Sequence, residues 1–180
     1  MQIAYDEHVG VDRGTGAAAC YEELIEAWNG RDADRFAAAF ADDGVVIGFD
    51  GSEQVGRAAI GEELGRIFED HETATYVTKV RSVRLVRDDV ALLQAVCGMI
   101  PPGGSDLLPE RHARQTVLAA READEWRIAL FQNTPAQLHG RADLVERLTD
   151  ELREVARRER GDQMGLRGTP PGQCSAGIGA

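Results

Sequence analysis

At Thr75 the spacing of apolar residues changes from one repeat to another, and no other feature of the chain limits its fold as strongly. Before that point apolar residues recur every three or four positions, the spacing of one face of a helix. Beyond it they alternate in twos and become β-branched, the spacing of strands. Ala17, Cys20, Tyr21, Leu24, Ile25 and Trp28 mark a first amphipathic helix that Asn29-Gly30 ends. Asp32 is placed to accept hydrogen bonds from the free amides of a short second helix, with Phe36, Ala37 and Phe40 facing inward. A turn at Asp42-Asp43-Gly44, the β-prone Val45-Val46-Ile47 and a glycine-bearing loop over 48–56 lead to a third helix over 57–70, striped by Ile60, Leu64, Ile67 and Phe68. Gly61 and Gly65 each cost that helix on the order of 1 kcal/mol against alanine, so their spacing implies another backbone passing close by. Strands follow over 76–86, 90–99, 110–121 and 126–133, joined by Asp88-Asp89, by the loop Pro101-Pro102-Gly103-Gly104-Ser105 and by Glu122-Ala123-Asp124-Glu125. Helices first and a meander of antiparallel strands second is the order of an α+β fold, not of a doubly wound sheet.

A second amphipathic pattern runs over 141–160, where Val145, Leu148, Leu152 and Val155 form a seam flanked by the four-residue pairs Asp143 to Arg147 and Glu154 to Arg158. Its seam can cover either its own sheet or a partner subunit. The expected organisation is an N-terminal arm over 1–14, one domain over 15–135, a helical extension over 136–160 and a flexible Gly- and Pro-rich tail over 161–180.

Composition removes several function classes. A net charge of −11, with −12 carried by residues 1–75, argues against a nucleic-acid partner. Apolar runs are far short of the roughly 20 residues a bilayer span needs, and the first residues lack a leader's basic start and apolar centre, so a cytoplasmic, membrane-free protein is expected. Cys20, Cys97 and Cys174 are too scattered for a disulfide framework and read as free thiols. His8, His71, His112 and His139 lack metal-ligand spacing, so no metal or other cofactor is expected. Gly14-Thr15-Gly16-Ala17-Ala18-Ala19 fits a dinucleotide fingerprint by letters alone, because no buried strand precedes it and no parallel strand follows its helix.

Strand alternation directs attention to the sheet. Trp126, Ile128, Leu130 and Gln132 are expected on one face of the last strand, and Arg127, Ala129, Phe131 and Asn133 on the other. Both faces are partly apolar, which predicts a homodimer joined through the face the helices leave open.

Four segments carry a resemblance: Ala27-Trp28-Asn29-Gly30-Arg31-Asp32, Gly56-Arg57-Ala58-Ala59-Ile60, Asp89-Val90-Ala91-Leu92, and Trp126-Arg127-Ile128-Ala129-Leu130-Phe131-Gln132-Asn133-Thr134. In this order and spacing, over about residues 15 to 135, the chain resembles the SgcJ/EcaC branch of the SnoaL-like, nuclear transport factor 2-like superfamily. The resemblance implies a cone in which three helices close a curved, mainly antiparallel sheet around a pocket, commonly in a dimer, and a gene setting in polyketide pathways, enediynes among them. The superfamily also contains steroid isomerases, but alignment puts Leu24 at the place of their phenol and Gly48 at that of their base. Asp50 is the one substitute base, two residues along.

The expected function is therefore to bind a hydrophobic, polyketide-like molecule, to protect it or to guide a cyclase- or isomerase-like tailoring step. The alternatives are a non-enzymatic dimeric assembly module and an isomerase-like proton-transfer enzyme. Trp28, Phe49 and Tyr76 are the candidate walls; Gln94, His112 and Gln132 are the candidate orienting groups, because they interrupt apolar strands. His112, with an ordinary pKa near 6.5, is the candidate acid or base.

Overall fold

Three helices pack on one face of a single sheet, although three of its strands lie before or among those helices along the chain. The computed structural model describes residues 3–5 and 16–166, except for the side chains of 162–166. Its elements are β1 (Ala4–Tyr5), α1 (Gly16–Gly30), α2 (Ala33–Ala38), β2 (Phe40–Ile47), β3 (Glu53–Val55), α3 (Arg57–Asp70), β4 (Thr75–Arg87), β5 (Val90–Ile100), a 3-10 turn (Pro109–Arg111), β6 (Ala113–Glu122), β7 (Glu125–Pro135) and α4 (Ala142–Leu166). Asp32 caps α2 as its position predicts, accepting the Arg35 amide at 2.9 Å.

The sheet has seven strands in the order β1-β4-β5-β6-β7-β2-β3. The expected four-stranded meander, β4 to β7, is its centre. Two parallel pairings extend it, β1 on β4 and β2 on β7, and β3 closes one edge as a hairpin with β2. Asp42-Asp43-Gly44 is thus not a turn between elements but an irregular stretch within β2, between the pairs Phe40 with Ile128 and Val45 with Leu130. Part of the expected loop over 48–56 is strand β3. β1 and β3 are edge pieces of two and three residues, too few for periodicity to mark, and the irregularity between Phe40 and Val45 hides the first half of β2.

Bulges set which side chains enter the cone. In β6–β7 the register passes from Leu118 with Leu130 to Ala119 with Ile128, leaving Ala129 as an extra residue. Parity reverses there, so Ile128 and Phe131 both enter the main core, at 0% and 4% exposure. The expected alternation through Trp126, Ile128, Leu130 and Gln132 therefore breaks after Ile128. A second bulge, at Arg81, bends β4.

Two cores result. The larger lies between the three N-terminal helices and the concave sheet face, around Tyr21, Leu24, Ile25, Phe40, Leu93 and Ile128. The smaller lies beneath α4 on the convex face, where Leu148, Leu152 and Val155 meet Val77, Val96 and Leu107. The seam of α4 thus covers its own sheet. Lys79 and Arg81 hold Glu151 at 2.5–2.7 Å, and Arg153 bridges to Asp106. The expected pairs Asp143–Arg147 and Glu154–Arg158 form at 2.7 and 3.2 Å. This helix runs to Leu166, six residues past its expected end, so 161–166 is not tail; the tail proper and Cys174 lie outside the described residues, as do Gly14, Thr15 and most of the arm.

Candidate functional site

The end of α1 is fastened to the start of β4 by one side chain. Asn29 donates to the Tyr76 carbonyl at 2.9 Å and accepts the Tyr76 amide at 2.8 Å, so its carboxamide pairs with the strand edge as another peptide would. The neighbouring Trp28 donates its indole N–H to the Ala74 carbonyl at 2.9 Å. Its ring then lies flat on that of Tyr76, centroids 4.6 Å apart and 4° from parallel. Phe68 meets Trp28 edge-on, and Phe36 bridges from Trp28 toward Phe131.

Trp28, Phe36, Tyr76 and Phe131 wall a cavity of about 250 Å³ between α1, α2, α3 and the concave sheet, with Phe68 behind Trp28. Ile60, Leu64 and Ile67 of α3 close one side, and Val46 and Phe131 close the other. Polar groups enter at two levels. Deep in the wall, Asn133 is 3% exposed. Its amide nitrogen donates to the Tyr76 hydroxyl at 3.1 Å, and its amide oxygen has no partner. Burial raises the Tyr76 phenol well above its usual value, so it keeps its proton. At the rim stand Asp50, Ser52, Gln54 and Glu63, the last ion-paired with Arg66.

Asp50, the proposed substitute base, does reach this rim. It is exposed, however, and accepts from both the amide and the hydroxyl of Ser52, at 3.0 and 2.7 Å. Those bonds hold its carboxyl below the usual carboxylate range, opposite to what a base working near neutrality requires. Trp28 and Tyr76 line the cavity, whereas Phe49 packs against the main core beside the lining.

The three orienting candidates do not converge on the cavity. Gln94 and Gln132 come together on the convex face, in a cross-strand row through Thr116. His112 is not on a strand at all: Pro109 starts a 3-10 turn, and His112 follows it. Its ring is 1% exposed beneath α4, with Nε2 2.7 Å from the Thr149 hydroxyl. That hydroxyl donates to the Val145 carbonyl, so Nε2 carries the proton it accepts, and Nδ1 is left without a partner. Burial lowers the pKa of this histidine. His112 thus bonds to α4 and is not among the residues lining the cavity, which lies on the other side of the sheet.

Sequence reading passed over Asn133, Phe131 and Glu63. Glu63 was discoverable, three residues from Ile60 and four from Ile67 on the α3 stripe. Asn133 and Phe131 were not, because the bulge at Ala129 decides their side.

A profile of the SnoaL-like domain matches residues 17–133. This chain belongs to the SnoaL-like domain family. The SnoaL-like match ends where the sheet does and leaves α4 outside it. Among solved structures, the chain is similar to a domain of unknown function with a cystatin-like fold from Nostoc punctiforme, at 25% identity and a TM-score of 0.64, over 84% of this chain and 94% of that one. A ketosteroid isomerase-like protein from Erwinia carotovora atroseptica matches at 18% identity and a TM-score of 0.56, over 69% of this chain and 97% of that one. An NTF-2-like protein of unknown function from Shewanella oneidensis MR-1 matches at 15% and 0.55, over 66% and 96%. These likenesses place the SnoaL-like cone in the nuclear transport factor 2-like fold. No curated protein matches the sequence. Among the described residues no helix is long and apolar enough to cross a membrane, and no group of three or more His, Cys, Asp or Glu could hold a metal ion.

Proposed function

We propose that the chain binds a small, hydrophobic, polyketide-like molecule within the cone, and shelters it or holds it for a cyclisation or related tailoring step. On this reading it is a cytoplasmic, natural-product biosynthetic protein of the SgcJ/EcaC branch, enediyne pathways included, and works as a homodimer. One observation carries the reading: the 250 Å³ cavity has aromatic and aliphatic walls in which Asn133 and the Tyr76 hydroxyl are the polar groups, the others standing at the rim. Apolar walls supply affinity by removing a guest's surface from water, and sparse polar groups set its orientation. The volume is just under the ~300–1,000 Å³ of pockets for drug-sized ligands, which suits a guest of one or two rings.

Binding and positioning fit better than proton transfer of the isomerase type. Such chemistry needs a carboxylate of raised pKa inside the cone, and Asp50 is at the rim with a lowered one. The open half of the convex face supports the dimer. Leu92, Leu118, Leu130 and Val45 form a continuous cross-strand row there, beside the Gln94-Thr116-Gln132 row.

Native mass spectrometry of freshly purified protein tests the reading. A small molecule retained by the wild type and lost in Ile67→Trp, whose indole would fill the cavity, is the expected result. A protein that carries no guest and takes up no apolar ring compound at saturating concentration would overturn it.

A further inference from the structure

Asn133 is the group in the cavity wall whose bonding is incomplete. A carboxamide buried to 3% exposure with one end unpartnered costs free energy unless something meets that end. Its other end is committed to the Tyr76 hydroxyl, and that hydroxyl, receiving a bond from Asn133, still has its own proton to give. Gln115, paired with Asn133 across β6 and β7, also leaves its amide nitrogen unpartnered, but it lies behind the wall, whereas Asn133 and Tyr76 line the cavity and offer it one acceptor, Asn133 Oδ1, and one donor, the Tyr76 O–H. An alcohol or phenol satisfies both, because its oxygen accepts while its proton donates. A ketone or ether meets only the donor, and a hydrocarbon meets neither.

The opposite end of the cavity differs in kind. Asp50 and Glu63 stand at the rim, and Ser52 keeps Asp50 ionised. A guest with a carboxylate facing outward would meet like charge there, and one with a carboxylate facing inward would meet the Asn133 oxygen in an apolar wall.

We infer that the guest of this cone is a non-anionic ring compound bearing a hydroxyl group, inserted hydroxyl first, with Asn133 and Tyr76 selecting that hydroxyl. The inference rests on the reading of the cone as a binding site and specifies its substrate class. Asn133 acts as a specificity residue that touches the guest, and no reaction step is assigned to it.

Binding of four naphthalenes of similar size tests it, by titration calorimetry and by quenching of tryptophan emission: 2-naphthol, 2-methoxynaphthalene, 2-methylnaphthalene and 2-naphthoate. In the wild type, 2-naphthol is expected to bind at least tenfold more tightly than each of the others, since a buried polar group left unmet costs a factor of about ten or more. In Asn133→Leu the advantage over 2-methylnaphthalene should fall below threefold, with 2-methylnaphthalene binding kept or improved. Tyr76→Phe should reduce the same advantage while the melting temperature reports that the fold persists. If Asn133→Leu does not fold, the wild-type series and Tyr76→Phe decide the matter. Equal affinity for 2-naphthol and 2-methylnaphthalene overturns the hydroxyl assignment and leaves the pocket standing. Binding of 2-naphthoate as tight as that of 2-naphthol overturns the exclusion of anions. Failure of all four to bind overturns the pocket itself, and the inference with it.

Discussion

Asn29 is one side chain on which the shape of the cavity depends. It replaces two peptide hydrogen bonds at the edge of β4, and the Trp28–Tyr76 stack follows from where it holds the strand. Asn29→Ala would leave the Tyr76 amide and carbonyl without these partners, at a cost of roughly 1–3 kcal/mol. Asn29→Asp should also lose stability, because a carboxylate can accept from the amide but only repel the carbonyl. Urea unfolding is expected to show both losses; wild-type stability in Asn29→Ala would mean that water replaces the clamp without cost. Asn29 was legible in the sequence only as a helix end, Asn29-Gly30, because the peptide it mimics lies 47 residues away.

At the scale of elements, α4 is the piece whose docking is most sensitive to its surroundings. It passes so near β5 that a Cβ on Gly98 would lie 2.7 Å from Leu107 Cδ2 and 3.1 Å from Leu152 Cδ1. Gly98→Ala is therefore expected to cost about 1–3 kcal/mol by overpacking, and Leu107→Ala should restore much of it in the double variant. Amide exchange over α4 should quicken in Gly98→Ala while binding of ring compounds within the cone is unchanged. Docking should also depend on pH through two groups of opposite sign. Burial raises the Glu159 carboxyl from its usual 4.5 to about 7. The folded protein therefore holds that proton more tightly than the unfolded chain, and stability is lost as pH rises from about 4.5 through 7. Burial lowers His112 below 6.5, against the opposing charge of Glu110 and with the charge of Arg153. The unfolded chain then takes that proton first, and stability is lost as pH falls below 6.5. Glu159→Gln is expected to be more stable than the wild type at pH 8 and to differ little from it at pH 4.5. Equal stability at pH 8 would mean that Glu159 stays solvated. The helix itself, its seam and two of its ion pairs were legible from spacing. The surface it covers was not, since a seam of Val145, Leu148, Leu152 and Val155 fits a sheet and a partner subunit equally well.

For the whole molecule, the convex face is divided between α4 and the open leucine row, and only the open half remains for a second copy. Leu130→Glu would place a charge in the middle of that row, next to Leu118 and Val45. Native mass spectrometry is expected to show a dimer for the wild type and a monomer for Leu130→Glu, with ring-compound binding preserved; a wild-type monomer would remove the dimer from the proposal. What the sequence determined by itself was local. The change of period at Thr75, the cap at Asp32 and the apolar stripes of α1, α3 and α4 each arise from residues within a few positions of one another, where backbone geometry alone dictates the repeat. Tertiary structure decided the rest: the parallel pairing of β2 with β7, the place of His112 beneath α4, and the turn of Asn133 toward the cavity instead of Gln132. A single extra residue at Ala129 is enough for the last of these, because strand side chains alternate, and one bulged residue sends every later one to the opposite face.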